Sequence, residues 1–444
     1  MKTFHGGIHP GGHKDATAAK PVVDLAPPSE LVFPLSQHIG APAKPCAAVG
    51  DAVLVGQKIA AADGFVSANI HSSVSGTVTA VEKRLCPNGI PSECIVISND
   101  GLNKTAPPID GCTEDYMSLS AEEIIGLVRE AGIVGMGGAA FPTHVKLSVP
   151  PEAKIDYVII NGAECEPYLT SDHRAMLETP TDIIEGLKIL MHVFGLKDGY
   201  IGIENNKPDA IERMTAAAER EKGVNIHIVP LKTKYPQGAE KQLIYAVTGR
   251  RTPPGTLPWQ SGCVVNNIDT CASVYRAVVM GRPLTHRIVT AGGSALKNPM
   301  NYRAAIGTSF EYIAEASGGY KSPPKKVLMG GPMMGAAVAN TSVPVIKGTS
   351  GILFLDEAEA YVDREAPCIR CAKCVYVCPM NLQPNLLDMA SRNHDIDMLK
   401  RLNVNDCIEC GSCAFVCPSK RRQVQQIKVA KVKLREIAQR AKEK

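Results

Sequence analysis

The sequence contains no long apolar run, although 45% of its 444 residues are apolar. A helix that crosses a membrane needs roughly 18 consecutive apolar residues. The best run, at positions 189–194, is short and is interrupted by His192. We therefore expect a chain that does not span a membrane, and its length can bury several separate cores.

A secretion signal is also missing, because the first residues, Met1 to His5, do not run from charged to apolar. Without secretion the 15 cysteines stay in a reducing compartment, where disulfides are not expected. The sequence therefore predicts a cytoplasmic protein, either free or on the cytoplasmic face of a membrane.

The chain has little net charge, only +4, and we expect no nucleic-acid partner. The positive charge is concentrated at 421–444, where Val424, Ile427, Leu434 and Ile437 form an imperfect apolar stripe among cations. A basic amphipathic helix of this kind can lie on an anionic membrane or on a partner protein. A solvated helix that closes the preceding domain explains the pattern almost equally well.

Cysteine, by contrast, is abundant near the C-terminal end. Eight cysteines form two runs with the same C-x2-C-x2-C-x3-C-P spacing: Cys368, Cys371, Cys374 and Cys378, then Cys407, Cys410, Cys413 and Cys417. This is the spacing of thiolates that bind cubane iron–sulfur clusters, whereas structural zinc usually takes two separated ligand pairs. The sequence predicts two 4Fe-4S clusters. Because the fourth cysteine of such a run serves the other cluster, we assign Cys417 to the first cluster and Cys378 to the second.

The N-terminal third has the composition of a strap and a small β domain. His5, His9 and His13 are spaced by four, but the intervening glycines and proline favour a loop over a helical metal site. Short β-branched runs with glycine turns follow, and they resemble the barrel-sandwich hybrid domains of lipoyl and biotinyl carriers. Lys58 is expected within a strand and not at a hairpin tip, so we predict a scaffold.

The middle of the chain alternates strands and helices. Ser120 is placed to cap a helix that stops at Gly132, and a regular alternation covers 157–230. This pattern predicts a largely parallel sheet, with ligands at the carboxyl ends of its strands, where Asn161, Glu164 and Glu204 are expected.

The loop that follows the first helix is glycine-rich. Its backbone amides could approach a phosphate and Lys146 could supply charge, although an ordinary tight turn explains the loop equally well.

Four segments, 135–146, 161–167, 238–244 and 265–270, resemble in order the motifs of the flavin-binding 51 kDa subunit of respiratory complex I. The resemblance implies bound FMN and NADH as substrate. It assigns residues to three parts of the site: Gly135, Gly137, Gly138 and Lys146 to the FMN phosphate, Asn161, Glu164, Asn266, Asn267 and Thr270 to the flavin, and Phe141, Glu166 and Glu240 to the nicotinamide nucleotide. Met136 departs from the family, which usually has arginine there. Ala140 replaces a glycine and Ala239 replaces an acid.

The complete order of segments resembles the C subunit of Rnf-type ferredoxin:NAD oxidoreductases. The resemblance implies a multidomain α/β and α+β protein. Its expected parts, in chain order, are a strap (1–30), a barrel-sandwich hybrid domain (31–105), a Rossmann-like FMN/NADH domain (115–275), a soluble-ligand-binding β-grasp domain (280–345), a linker (346–366), a ferredoxin-like domain with two 4Fe-4S clusters (367–420) and a basic tail (421–444).

The implied function is NADH:acceptor electron transfer within an ion-translocating membrane complex. FMN is needed because NADH gives a hydride, whereas clusters carry single electrons. No side chain need act as a catalyst, and the expected partners are the other subunits and, indirectly, ferredoxin. Two alternatives remain: a soluble NADH-dependent flavin and iron–sulfur cobalamin reductase, and a non-enzymatic electron-carrying scaffold.

Overall fold

The computed structural model describes residues 1–442, so the last two residues of the expected tail, 443 and 444, lie outside the described residues. The first 21 residues contain no helix or strand, but Lys2 and Ile8 form isolated β-bridges with Leu231 and Tyr235. Strand β1 (Val22–Asp24) then pairs in parallel with residues 301–303. The expected strap therefore contributes an edge strand to a sheet formed by distant residues. The side chain of Lys14 anchors it by donating to the carbonyls of Glu164, Glu166 and Leu169.

A barrel unit (residues 30–99) is built from two antiparallel sheets, one of four strands and one of three. Its strands are β2 (Glu30–Pro34), β3 (Lys44–Pro45), β4 (Ala52–Val53), β5 (Lys58–Ala61), β6 (Ile70–His71), β7 (Gly76–Leu85) and β8 (Pro91–Asn99). Alternate apolar residues such as Phe33, Ile59 and Ile95 fill the interior. Lys58 begins β5, so it lies within a strand, as the sequence predicted. Its Nζ also lies 2.6 Å from Glu130 Oε1 and forms an ion pair.

A parallel-sheet unit (residues 121–278) follows, with four strands in the order β11-β10-β9-β12. Its elements are α1 (Ala121–Glu130), α2 (Thr143–Leu147), β9 (Tyr157–Gly162), α3 (Ser171–Glu178), α4 (Pro180–Val193), β10 (Asp198–Glu204), α5 (Pro208–Ala218), β11 (Asn225–Leu231), α6 (Glu240–Thr248), β12 (Cys263–Asn267) and α7 (Ile268–Val278). Every strand pair is parallel, which confirms the prediction. Ser120 and Glu123 form a capping box at α1, also as expected.

A mixed-sheet unit (residues 286–355, with β1) has six strands in the order β1-β14-β13-β17-β15-β16. Its elements are β13 (His286–Gly292), β14 (Met300–Ala305), α8 (Phe310–Ala316), β15 (Lys326–Met329), β16 (Ala336–Ala337) and β17 (Gly351–Leu355). One helix, α8, packs on the sheet through Phe310 and Ile313.

The prediction of a linker at 346–366 is wrong for its first half. All five residues of β17 are buried, and the strand pairs in parallel with β13 and antiparallel with β15. The glycine and serine residues before it mark the turn into an interior strand. Such a short, continuously apolar run lacks the alternation that identifies half-buried strands. Only the later part, after α9 (Glu357–Ala360), runs as an exposed connection.

The cysteine unit (residues 367–442) consists of α10 (Lys373–Tyr376), α11 (Pro384–Arg392), α12 (Ile396–Arg401), α13 (Ser412–Phe415) and α14 (Gln423–Lys442). Ile427, Ala430 and Leu434 of α14 are buried with Leu387 and Ala390 of α11. Val424, Ile427 and Leu434 of the stripe are therefore buried in the cysteine unit, whereas Ile437 is exposed. No helix within residues 1–442 is both long enough and apolar enough to cross a bilayer.

A close contact between α4 and α7 supports one side of the parallel sheet and yields a stability prediction. A Cβ added at Gly186 would lie 2.0 Å from the carbonyl oxygen of Cys271, so Gly186→Ala must separate the helices. We expect it to lower the free energy of unfolding by about 1–3 kcal/mol. Gly126→Ala, at a position in α1 with open space around it, should instead raise stability by about 1 kcal/mol. Urea unfolding of both variants measures the difference, and equal effects would contradict it.

Candidate functional site: a flavin-type pocket beside two cysteine cavities

Two cavities in the cysteine unit are lined by the eight cysteines of the repeated motif. One is lined by Cys378, Cys407, Cys410 and Cys413, and the other by Cys368, Cys371, Cys374 and Cys417. Each cavity thus combines three cysteines of one run with the fourth of the other. Four thiols around one cavity match the ligand number of a 4Fe-4S cluster, so the residues fit the group that the sequence predicted.

The two cavities differ in their surroundings. Apolar side chains such as Leu382, Leu387 and Ile427 line the cavity that contains Cys410, whereas Arg370 and Lys373 line the other. Cys368 and Cys371 are exposed to solvent. Backbone amides also donate to cysteine sulfurs in both cavities: Arg370 to Cys368, Leu382 to Cys378, Glu409 to Cys407 and Arg421 to Cys417. Such donors favour the thiolate form that binds iron.

A second site lies at the carboxyl edge of the parallel sheet. Gly135 N–H donates to Phe141 O at 2.8 Å and closes the glycine-rich loop into a hairpin. At Gly137 an added Cβ would lie 2.7 Å from Asn267 Nδ2, so only glycine allows this approach. Gly138 is exposed on the same loop, with open space around it. The loop therefore packs directly against the end of β12.

Residues from all four resembled segments meet at this edge. Lys146 Nζ donates to Glu240 Oε1 at 2.9 Å and to Val265 O at 2.8 Å. Asn161 Nδ2 donates to Gly238 O at 2.8 Å. Thr270 Oγ1 accepts from the backbone amide of Met136 at 2.9 Å, which ties α7 to the glycine-rich loop.

Two carboxylates, Glu164 and Asp172, lie together at this edge of the sheet, which we call the floor of the pocket. Glu164 Oε1 accepts from the Asp172 amide at 2.7 Å, and Asn267 Nδ2 donates to Asp172 Oδ2 at 2.6 Å. Burial raises the pKa of Asp172 to about 7, and the nearby Glu164 and Asp269 carboxylates add to this shift. The charge of this floor is therefore sensitive to pH near neutrality.

Two buried polar atoms of the pocket have no hydrogen-bond partner among the described residues, namely Asn266 Nδ2 and Glu164 Oε2. Lys14 Nζ lies 3.8 Å from the latter, beyond hydrogen-bond distance. Buried polar groups without partners are rare in proteins and commonly mark a place that a ligand or water fills. A flat ring with both donors and acceptors on its edge, such as the flavin of FMN, fits this requirement.

Arg287 is a functional candidate that the sequence analysis missed. This residue of β13 is 1% exposed, and its guanidinium contacts Asp269, the Met136 sulfur and, at 3.2 Å, the Met136 carbonyl. A cation from the mixed-sheet unit thus lies beneath the glycine-rich loop, where the resembled motif has its own arginine. A lone arginine in an apolar strand was the available signal, since buried cations need partners.

Glu166 and Tyr235 connect the pocket to the cysteine unit. Glu166 accepts from the amides of Met333 at 3.0 Å and Met334 at 2.9 Å, and burial raises the pKa of its carboxyl. Tyr235 Oη lies 3.4 Å from Glu166 Oε1 and donates to Cys410 O at 2.7 Å. The cavity that contains Cys410 is therefore the one in direct contact with the pocket. No pattern in the sequence singles out Tyr235.

The fold and these sites define a class of protein: a flavin and iron–sulfur electron-transfer protein. Three family models match the chain: an RnfC barrel sandwich hybrid domain at residues 2–102, a Nuo51 FMN-binding domain at 128–276 and a 4Fe-4S dicluster domain at 367–421. These matches agree with the predicted barrel, FMN and two-cluster parts of the chain.

Two curated relatives match along nearly their whole length. The C subunit of the proton-translocating ferredoxin:NAD(+) oxidoreductase complex of Clostridium ljungdahlii is 46% identical over 446 residues, which cover 100% of this chain and 96% of that protein. The C subunit of the Na(+)-translocating complex of Acetobacterium woodii is 47% identical over 443 residues, or 99% and 98%. The chain belongs to this family, the C subunits of Rnf-type ion-translocating oxidoreductase complexes.

A solved structure shares part of the fold. The air-oxidized NAD+-reducing [NiFe]-hydrogenase aligns with a TM-score of 0.50 and 18% identity, over 69% of this chain and 63% of that chain. At this identity the likeness concerns the fold alone.

The exchanged lining of the two cavities predicts which cysteines act together. Cys378→Ser should remove the same cluster as Cys413→Ser, whereas Cys417→Ser should remove the same cluster as Cys374→Ser. Iron content and electron paramagnetic resonance spectra of the reduced variants measure this. If Cys378→Ser lost the same signal as Cys374→Ser, each run would hold its own cluster and the exchange would be excluded.

The buried arginine predicts a coupled loss of stability and flavin. Arg287→Met leaves the buried Asp269 with only the more distant Arg276 guanidinium, 3.7 Å away, so the change should cost up to about 3–5 kcal/mol and loosen the glycine-rich loop. Arg84→Met is the control, because its ion pairs with Glu82 and Glu30 lie on the surface, where they contribute about 0–1 kcal/mol. Urea unfolding and flavin retention after gel filtration measure both effects. Normal flavin retention in Arg287→Met would contradict the assigned role.

Proposed function

We propose that this chain exchanges a hydride between NAD(H) and FMN and passes single electrons through two 4Fe-4S clusters. The electrons go to or come from other subunits of an ion-translocating ferredoxin:NAD oxidoreductase complex. One observation carries the proposal: side chains at the sheet edge contact the cysteine unit directly. Tyr235 Oη donates to Cys410 O at 2.7 Å and lies 3.4 Å from Glu166 Oε1, and Gln242 Nε2 donates to Pro379 O at 3.2 Å.

The pocket residues divide into three groups by what they would hold. The loop amides of Gly135, Gly137 and Gly138, together with Lys146, are placed to bind the FMN phosphate. This assignment is supported by the approach of the loop to Asn267 and by the position of the Lys146 ammonium 2.8 Å from Val265 O. Backbone amides and one lysine are a common way to bind phosphate.

The flavin ring would lie over the strand ends, against Asn161, Glu164, Asn266, Asn267 and Thr270. The unpartnered atoms Asn266 Nδ2 and Glu164 Oε2 support this assignment, because a bound ring edge would supply their missing hydrogen bonds. Asn161 is held by Gly238 O and Thr270 by the Met136 amide, so their positions are fixed before a ligand arrives.

The nicotinamide nucleotide would bind near Phe141, Glu166 and Glu240. FMN supplies the conversion, because it can take a hydride from NADH and release single electrons. The chain's own residues orient the two molecules and exclude water from the contact. Glu166 is held by two backbone amides, so its carboxylate keeps one orientation.

We also propose that the chain is a peripheral subunit on the cytoplasmic face of the cell membrane. The relatives are subunits of complexes named for ion translocation, which supports attachment to membrane partners. Eight cysteine thiols in cluster motifs support a reducing compartment.

NADH should bleach the flavin absorbance of the purified, FMN-loaded and cluster-loaded chain, and electrons should then reduce the clusters. Absorbance and electron paramagnetic resonance spectra measure the two steps. Protein without bound FMN or NADH:acceptor activity would support the non-enzymatic scaffold. Copurification with solubilised membrane proteins would separate a complex subunit from a soluble reductase.

Lys146→Ala should weaken FMN binding through loss of a charge-assisted contact to the phosphate. Such a contact is worth about 1.5–3 kcal/mol, or roughly a 10- to 150-fold rise in Kd. Lys154→Ala is the control, because Lys154 is 89% exposed and its ammonium lies 3.8 Å from the nearest carboxylate oxygen of Asp156. Fluorescence titration of the flavin-depleted chain with FMN measures Kd. Equal Kd values for the two variants would show that Lys146 does not contact the FMN phosphate.

A further inference from the structure

Tyr235 is a buried side chain that contacts both the sheet-edge site and the nearer cysteine cavity. It is 2% exposed, and its hydroxyl donates to the carbonyl oxygen of Cys410 at 2.7 Å. The hydroxyl oxygen also lies 3.4 Å from Glu166 Oε1. A single buried group therefore contacts the nucleotide side of the pocket and the backbone of an expected cluster ligand.

The peptide between Cys410 and Gly411, whose carbonyl accepts from Tyr235, also packs against the 330–335 loop. Gly411 follows Cys410 with φ +82°, and a Cβ there would lie 3.1 Å from Met333 O. Met333 is in turn fixed by its amide, which donates to Glu166 Oε2 at 3.0 Å. The Cys410 turn, the 330–335 loop and Glu166 thus form a closed set of contacts around the tyrosine hydroxyl.

We propose that Tyr235 is a positioning residue that raises the reduction potential of the cluster held by Cys378, Cys407, Cys410 and Cys413. The proposal rests on the function proposed above, since it concerns the cluster-loaded chain. A carbonyl oxygen is the negative end of a dipole, and the tyrosine O–H proton offsets it. Reduction adds negative charge to a cluster, and cluster potentials respond to nearby charge and hydrogen bonds. Without the hydroxyl, the reduced form becomes less favourable.

The other cluster provides an internal comparison. Cys371 occupies the position in the first run that Cys410 occupies in the second. Cys371 is exposed to solvent, whereas Cys410 is buried and its carbonyl accepts from Tyr235. The effect of Tyr235 is therefore confined to the cluster beside the pocket. The Tyr235 hydrogen bond therefore gives two clusters with the same ligand motif different reduction potentials.

The test is Tyr235→Phe in the full chain loaded with FMN and both clusters. A dithionite redox titration followed by electron paramagnetic resonance should show a lower potential for one cluster and an unchanged potential for the other. The cluster that shifts should be the one lost in Cys413→Ser. With NADH as reductant, reduction of that cluster should slow relative to flavin bleaching.

Tyr302→Phe is the matched control. Tyr302 is 4% exposed, and its hydroxyl accepts from Ser317 Oγ at 3.2 Å within the mixed-sheet unit, away from the cysteines. This variant loses a buried hydroxyl of the same kind, so it should leave both potentials unchanged. A shift in Tyr302→Phe as large as in Tyr235→Phe would show a general loss of stability and would overturn the proposal.

Two further results would overturn it: unchanged potentials in Tyr235→Phe, or an equal shift of both clusters. If Tyr235→Phe purifies with only the cluster beside the pocket missing, the positioning role is supported, and loss of both clusters counts against it. A failure of the proposed function appears separately, as flavin that NADH does not bleach. The dithionite titration does not depend on that step.

Discussion

Two buried lysines connect separate units of this structure by donating hydrogen bonds to backbone carbonyls. Lys14 reaches from the N-terminal segment to the loop after β9, and Lys347 from the mixed-sheet unit to Asn69 O and Gly132 O. Burial lowers the pKa of Lys347 to about 7. A buried ammonium is unfavourable unless carbonyls replace its water, so each lysine fixes the separation of two units. The lysine contacts reach the residues around the site: Lys14 bonds to the loop that contains Glu164 and Glu166, and Lys347 bonds to Gly132 at the start of the glycine-rich loop.

The glycine-rich loop is also held by a buried cation from another unit, Arg287. Its backbone follows the end of β12, but the guanidinium beneath it comes from β13 in the next unit. The pocket is therefore not a property of the parallel-sheet unit alone. A change in the mixed-sheet unit can alter flavin binding without any contact to the flavin.

Local pattern accounts for the features that could be predicted from the sequence. The parallel sheet followed from alternating strands and helices, the α1 cap from Ser120, and the cavity linings agree with the cysteine spacing. The errors were non-local. Strand β17 was assigned to a linker because its burial depends on neighbours about 60 residues earlier, such as Thr290 beside Gly351. Tyr235 carries no local signal and Arg287 only that of a lone cation in an apolar strand, since Cys410 and Asp269, which they contact, lie in other units.

The exchange of fourth cysteines between cavities has a consequence for biosynthesis. The cavity that contains Cys374 is completed by Cys417, and the one that contains Cys378 needs Cys407, Cys410 and Cys413. Neither set of four ligands exists until the ribosome has passed residue 412. The strand β1 near the N-terminus likewise waits for residues 301–303. If these cysteines hold the clusters, iron–sulfur insertion would be a late event, and a chain truncated before Cys413 would lack a complete set of four cysteines in either cavity.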